Sequence, residues 1–272
     1  LAPLLAREAP LVARGDDEAL ERVVCLHIVD PACGTGFFLV SALEHIMSWL
    51  RSLLCADSGP LDLKTLVRLQ SVLVRHLYGV DIDAAALEVV AHSLQILSGN
   101  TVSHSELLGN TLRRGNSLVS RRSLDGQHDY APLLEGIEDD LHPFEWQVEF
   151  KRVFSENEGF DVVVMNPPYE RLKPNRAEYD RERLVKSSSE SQMGGFAERR
   201  TNTTRLVRYF RESADYAYAS RYTIDTYRLF VERSLRILRG GGRLGAIVPT
   251  TILADLSAQP LRQHLLMENR LE

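Results

Sequence analysis

Residues 23–38 read Val23-Val24-Cys25-Leu26-His27-Ile28-Val29-Asp30-Pro31-Ala32-Cys33-Gly34-Thr35-Gly36-Phe37-Phe38. The run from Val23 to Val29 is short, apolar and closed by an acid. That is the pattern of a strand buried on both faces of a parallel sheet. Two glycines follow at once, and an apolar-periodic stretch from Phe37 to Leu54 reads as a helix. Strand, glycine turn and helix open a doubly wound α/β unit. The glycines let a ligand approach the backbone, because no Cβ stands in the way. A Walker loop would need Gly-Lys-Ser/Thr after four spacer residues, and none occurs here. A dinucleotide fingerprint would need a third glycine where Leu39 stands. An acid at Asp30 would repel a pyrophosphate and suits a ligand carrying an ammonium group.

The rhythm repeats outward from this corner. Leu77 to Asp81 is predicted as a strand and Ala84 to Leu97 as an amphipathic helix of good helix formers. Leu112 to Leu118 holds a third short strand or its exit. Residues 121–157 read as irregular, with an acidic cluster (Glu135, Glu138, Asp139, Asp140) followed by Trp146, Phe150 and Phe154. Phe160 to Met165 is the clearest strand and runs straight into Asn166-Pro167-Pro168-Tyr169. Thr223 to Leu238 has helical periodicity, Gly240 to Gly242 are expected to end that helix in a left-handed cap, and Arg243 to Val248 is a further strand. Upstream, residues 1–22 form a weak helical lead-in. The expected fold is α/β, a Rossmann-like, doubly wound and mostly parallel sheet over residues 23–272, incomplete at its C-terminal end.

Composition sets the outer limits. The chain has 272 residues, 44% apolar and 25% charged, with a net charge of −5. These values exclude wholesale disorder, a collagen-like repeat and a disulfide scaffold. The charge also argues against coating nucleic acid by bulk electrostatics, though not against a local basic surface. One such segment exists. Arg171 to Arg211 holds eleven Lys/Arg against five Asp/Glu, a balance of +6 that leaves −11 for the rest. With Ser187 to Ser189 and Gly194-Gly195 it reads as a mobile loop inserted over residues 170–222. Cys25, Cys33 and Cys55 show no CxxC spacing, so reduced thiols, a cytoplasmic setting and no metal are expected. The apolar stretches break well short of ~18 residues, so no membrane span is expected. A chain starting at Leu1 and ending at Glu272 without a terminal element reads as a piece of a longer protein.

The nonapeptide Asp30 to Phe38 resembles the S-adenosylmethionine-binding motif of DNA methyltransferases that modify amino groups. The resemblance implies that Asp30 and the backbone from Pro31, Ala32, Cys33 and Gly34 to Gly36 hold the methionine end of that cofactor. Asp81, followed by Ile82, matches the acid that accepts hydrogen bonds from both ribose hydroxyls. Asp83 fits the N-cap of the following helix. Gly115-Asn116-Ser117-Leu118 resembles the third cofactor motif, where Asn116 would meet the adenine amino group; an Asx turn is the other reading of Asn116.

Methyl transfer to an exocyclic amine faces a specific difficulty, because the nitrogen lone pair is delocalised into the ring. Two acceptors aimed at its N–H bonds favour the geometry that frees the lone pair and stabilise the positive charge that develops. Asn166 offers its side-chain oxygen. Pro167 offers a carbonyl held by consecutive fixed φ angles, with Pro168 the second of the pair. Tyr169 offers a face on which a base can stack. The stretch Phe160 to Tyr169 resembles the catalytic strand and loop of adenine methyltransferases. Phe144 to Phe150, the helix around Asp225 to Phe230 and the strand to Pro249 look like parts of type IIG restriction–modification and phage-defence enzymes. Tyr227 and Phe230 are either core or the adenine side of the cofactor site. The implied activity is transfer of a methyl group from S-adenosylmethionine to the 6-amino group of an adenine flipped out of double-stranded DNA. A target-recognition domain would lie outside this chain, and the basic segment would hold the DNA backbone. A protein glutamine amide, a ribosomal RNA base or the amino group of a DNA cytosine poses similar chemistry, and a non-catalytic DNA-binding scaffold is a further alternative.

Overall fold

The computed structural model describes residues 1–54, 62–173 and 196–268. In chain order it begins with α1 (Ala2–Val12), α2 (Asp17–Val24), β1 (Ile28–Asp30), α3 (Phe37–Leu54) and α4 (Leu63–Val74). β2 (Leu77–Asp81), α5 (Ala84–Leu97), α6 (His104–Asn110) and β3 (Leu112–Arg114) follow. Four short helices come next: α7 (Ala131–Leu134), α8 (Glu138–Leu141), α9 (Trp146–Glu149) and α10 (Lys151–Asn157). The chain continues through β4 (Phe160–Met165), α11 (Phe196–Glu212), α12 (Thr226–Ile237), β5 (Leu238–Ala246), α13 (Thr251–Ala254) and α14 (Gln259–Glu268).

The described chain divides into two compact units. The first holds residues Leu1–Val119, His142–Pro167 and Ser234–Ile247, and with them the whole sheet. Its strand order is β3-β2-β1-β4-β5, and every neighbouring pair is parallel. β1 pairs with β2 on one side and β4 on the other, with Ile28 opposite both Leu77 and Val162. This is the expected doubly wound α/β sheet. α3 buries Leu39, Leu43, Ile46, Met47 and Leu50, a stripe at helical spacing, in a core shared with Leu77, Leu87, Val90 and Leu94. Among the described residues α3 alone is long and apolar enough to cross a membrane by length and composition, although Glu44 and Arg51 interrupt it. The buried stripe gives it a core role in this unit.

Four expectations are corrected. Val23 and Val24 close α2 rather than open β1, since Asp16 caps that helix by accepting the Ala19 N–H at 2.9 Å. Residues 121–157 contain four short helices. Gly240 to Gly242 do not cap α12, which passes directly into β5. Along β5 the register jumps from Phe160–Leu238 to Val162–Arg243, so the glycines form a bulge against β4. The basic insertion is in part a helix, α11, with Tyr209 and Phe210 buried; Ser187 to Ser189 and Gly194-Gly195 lie outside the described residues, as does Cys55.

Opposite the carboxyl edge of the sheet, Asp161 ties three strand ends together. It accepts the His27 N–H at 2.8 Å and pairs with Arg239 at 2.5 Å. Burial pushes its carboxyl up, but the bonds from His27 and Arg239 outweigh this and hold it below the usual range.

The second unit holds Ser120–Leu141, Pro168–Arg233 and Val248–Glu272. Its centre is polar. Arg233 is fully buried, pairs with Asp215 at 3.1 Å and donates from Nε to the Tyr216 hydroxyl at 2.9 Å. The Tyr209 hydroxyl accepts the Ser120 N–H and donates to the Ser120 carbonyl. The Glu232 carboxylate accepts the N–H groups of Tyr218 and Ala219. Removing one partner of a buried pair leaves an uncompensated charge. Asp215→Ala is therefore expected to lose about 3–5 kcal/mol in urea unfolding, and adding Arg233→Met should restore most of it. An unchanged unfolding midpoint for the single variant would contradict the pairing.

Candidate functional site: the carboxyl edge of the sheet

In a parallel sheet all strands end on one edge, and ligands bind there, beside the place where strand order reverses. That place is between β1 and β4. The glycine turn leaves β1, the acid Asp81 ends β2, Gly115-Asn116 leaves β3 and Asn166-Pro167 leaves β4. The topology thus gathers on one edge of the first unit motifs spread over more than a hundred residues of sequence.

The glycine turn is built by its own hydrogen bonds. Asp30 accepts the Ala32 N–H at 3.0 Å, and the Gly36 N–H donates to the Cys33 carbonyl at 2.8 Å. Gly34 and Gly36 have φ of +50° and +85°, where a side chain is strained. A Cβ on Gly36 would strike Val90 at 2.9 Å, whereas a Cβ on Gly34 would meet nothing within 4 Å. Gly36 is therefore required by helix packing, and Gly34 leaves open space beside the turn. Cys33 is buried, and a Cβ on Gly79 would lie 2.9 Å from its Sγ. Burial pushes the Cys33 thiol up, with Asp30 and Asp81 adding to the effect, which disfavours the thiolate.

Asp81 does more than the sequence indicates. Its two carboxylate oxygens accept the Gly34 N–H at 2.8 Å and the Asp83 N–H at 2.9 Å. The second strand thereby clamps the turn of the first across 47 positions of sequence. Ile82 beside it is exposed, and Asp83 caps α5 through the Ala85 N–H as expected. The Asn116 oxygen accepts the Leu118 N–H at 3.1 Å, the Asx turn. Ser117 is buried and donates its hydroxyl to the Pro31 carbonyl at 2.5 Å, tying the third motif to the first. Trp146 donates its indole N–H to the Ser117 carbonyl at 3.0 Å and packs among Phe144, Phe150 and Phe160. The Asp81–Gly34, Ser117–Pro31 and Trp146–Ser117 ties are not visible in sequence spacing.

Asp30 is buried at the tip of the central strand. Burial pushes its carboxyl up to about 7; the Ala32 N–H opposes the shift, and the neighbouring Asp81 carboxylate adds to it. Two acids side by side, one of them buried, form a place for a cation. That donor set and the open space at Gly34 fit the ammonium and sulfonium groups of S-adenosylmethionine.

Asn166 is exposed and Pro167 buried in the first unit. Pro168 and Tyr169 belong to the second unit, where the chain is laced to the start of α12. The Thr226 hydroxyl donates to the Pro168 carbonyl at 2.5 Å and accepts the Glu170 N–H at 3.0 Å. Arg171 pairs with Asp225 at 2.8 Å. The Tyr169 ring is 51% exposed and stands at 82° to Tyr227. Tyr227 and Phe230 are themselves buried, the core reading of the pair. Thr226 thus fixes the Pro168 and Glu170 backbone within the second unit, a tie that sequence spacing does not show. A cleft of about 390 Å³ opens at the other end of β2 and β3, lined by Tyr78, Thr111 and Arg113 among others. Ligand chemistry is assigned to the carboxyl edge because the motifs converge there.

Residues 75–272 match the Eco57I restriction-modification methylase family. The chain belongs to that family. The matched range takes in Asp81, Asn116 and the Asn166 to Tyr169 loop, and starts after the glycine turn. The type II restriction enzyme and methyltransferase RM.Eco57I of Escherichia coli is 25% identical over 257 residues, 87% of this chain. That alignment spans 21% of the relative, so the chain covers about a fifth of its length. Among solved structures, the nuclease-deletion mutant of the type ISP restriction–modification enzyme LlaGI overlaps 90% of this chain and 19% of its own, with 16% identity and a TM-score of 0.49. The type ISP enzyme LlaBIII overlaps 89% and 14%, with 15% identity and a TM-score of 0.49. The fold assignment for this methylase-family chain rests on its own strand order.

Proposed function

We propose that this chain is the catalytic part of a DNA methyltransferase that methylates the 6-amino group of adenine. The observation that carries this reading is the position of Asn166-Pro167 directly after β4, beside the β1 turn and on the same edge as Asp30 and Asp81. S-adenosylmethionine, when bound, supplies an electrophilic methyl group on a sulfonium sulfur. Asp30 and the backbone of Pro31 to Gly36 hold its charged methionine end, Asp81 with Ile82 its ribose, and Asn116 with Ser117 border its adenine. Asn166 accepts one N–H of the target amine through its side-chain oxygen, and the Pro167 carbonyl accepts the other. Both bonds strengthen as positive charge develops on the nitrogen, so they act on the transition state more than on the ground state. The amine attacks the methyl carbon as that carbon's bond to sulfur breaks and a thioether leaves, and the methylated nitrogen then releases one proton to solvent, so no side-chain nucleophile is needed.

Inside a duplex the amine is out of reach, so the adenine is flipped out at a cost of a few kcal/mol. Stacking on Tyr169 offsets about 1–3 kcal/mol of this. The basic residues of 171–211 hold the DNA backbone, and sequence is read by a target-recognition domain outside these 272 residues. The setting is a cytoplasmic restriction–modification or phage-defence system.

Incubation with methyl-labelled S-adenosylmethionine and double-stranded DNA, followed by nucleoside mass spectrometry, is expected to yield labelled N6-methyladenine. Label found only in N4-methylcytosine, in RNA or in protein would replace this reading with one of its rivals.

A further inference from the structure

We propose that Glu88, His92 and His104 form a surface site for a transition-metal dication of the zinc class, joining α5 to α6. Glu88 and His92 stand one helical turn apart on α5, so their side chains share a face. His104 is the first residue of α6, whose N-cap is Ser103. One ligand atom from each of the three side chains falls within 4.8 Å of the other two. The His92 and His104 rings stack with centroids 4.3 Å apart and planes at 22°. The His104 Nε2 already bonds the Glu88 carboxylate. Three donors from two helices therefore lie close together before any ion arrives, and the stacked rings have to turn apart for their in-plane lone pairs to meet on one ion.

The chemistry of the donors selects the ion. Two imidazoles and one carboxylate suit zinc, nickel or copper, whereas calcium and magnesium prefer all-oxygen sets. Tetrahedral zinc with bonds of about 2.0–2.2 Å places its ligands roughly 3.3–3.5 Å apart. Glu88 and His92 are exposed and His104 is half-buried, so side-chain rotation alone can close the remaining gap. Three protein ligands leave the fourth position to water. The ion would pin α5 to α6, the helices that flank β2 and β3. The sequence alone shows no such site, because the third ligand comes from a separate helix and the set contains no cysteine. The inference is independent of the methyl-transfer reading.

The test uses the full chain, freed of any affinity tag and of metal by chelation. Cobalt is titrated while its visible absorption is followed, and zinc is then added in competition. One equivalent of cobalt is expected to bind and to be displaced by zinc, with zinc raising the thermal midpoint. His92→Ala and His104→Ala should each weaken binding about tenfold or more and abolish the thermal shift. Glu88→Gln, which keeps the side-chain shape, should weaken it in the same direction. His128→Ala, at an exposed position outside the cluster, should change nothing. Absence of saturable binding, or binding that survives both histidine variants, would overturn the proposal.

Discussion

Asn166→Ala is expected to cut methyl transfer by about 10²–10³-fold or more while leaving S-adenosylmethionine affinity within a factor of about two. The size follows from comparison with preorganised hydrogen-bonding groups elsewhere, where removing one group aimed at developing charge costs that much. The selectivity follows from position. Asn166 lies after β4, whereas the groups assigned to the cofactor lie after β1, β2 and β3. The variant should also fold normally, since the side chain is exposed and Pro167 still fixes the backbone. Single-turnover transfer and calorimetric cofactor binding separate the two effects. Loss of cofactor binding with transfer reduced only in proportion would refute the assigned role.

Asp30→Asn should produce the opposite pair of effects, a more stable protein that no longer holds the cofactor. In the folded chain the Asp30 carboxyl is raised from 3.8 to about 7. A group with a raised folded value contributes stability below its unfolded value and loses it as pH rises through the folded one. Folding therefore becomes less favourable between about pH 4 and 7, by about 4 kcal/mol at full ionisation. Asparagine carries no charge and still offers an oxygen to the Ala32 N–H. Urea unfolding should find the two proteins similar near pH 4 and the variant more stable at pH 8. Parallel stability curves across that range would show that Asp30 is not desolvated as described. Cofactor binding reads the same group from the other side. If a cation must meet ionised Asp30, wild-type affinity rises about tenfold per pH unit up to about 7 and then levels, with a proton released on binding below that point.

The parts of the fold legible in sequence were those with long, unbroken periodicity. α3, β2, α5 and β4 begin and end where their patterns do. Errors fell where tertiary pairing decides. Gly240 to Gly242 have the composition of a helix cap, and only the register of β5 against β4 makes them a bulge. Val23-Val24 have strand composition, but the Asp16-Asp17-Glu18 start signal makes them the last turn of α2. α4 carries its start signal at Asp62, which caps it by accepting the Thr65 N–H, but no glycine or acid marks its far end before β2. The motifs of the site were readable because each is local. Their mutual ties were not: Asp81 to Gly34, Ser117 to Pro31 and Thr226 to Pro168 are set by topology rather than by spacing. α11 hid within a basic stretch whose charges concealed the buried pair Tyr209 and Phe210.

The bulge in β5 has a bearing on solubility. In the described sheet β5 and β3 are the two outer strands, and an outer strand offers unpaired backbone groups to any passing chain. β3 is only three residues long and carries Arg113 and Arg114. β5 is longer, at nine residues, but the Arg239 to Gly242 bulge breaks its regular ladder and Gly241 turns at φ +77°. One rim is guarded by brevity and charge, the other by crookedness, so neither gives a foreign strand a straight template along which to aggregate.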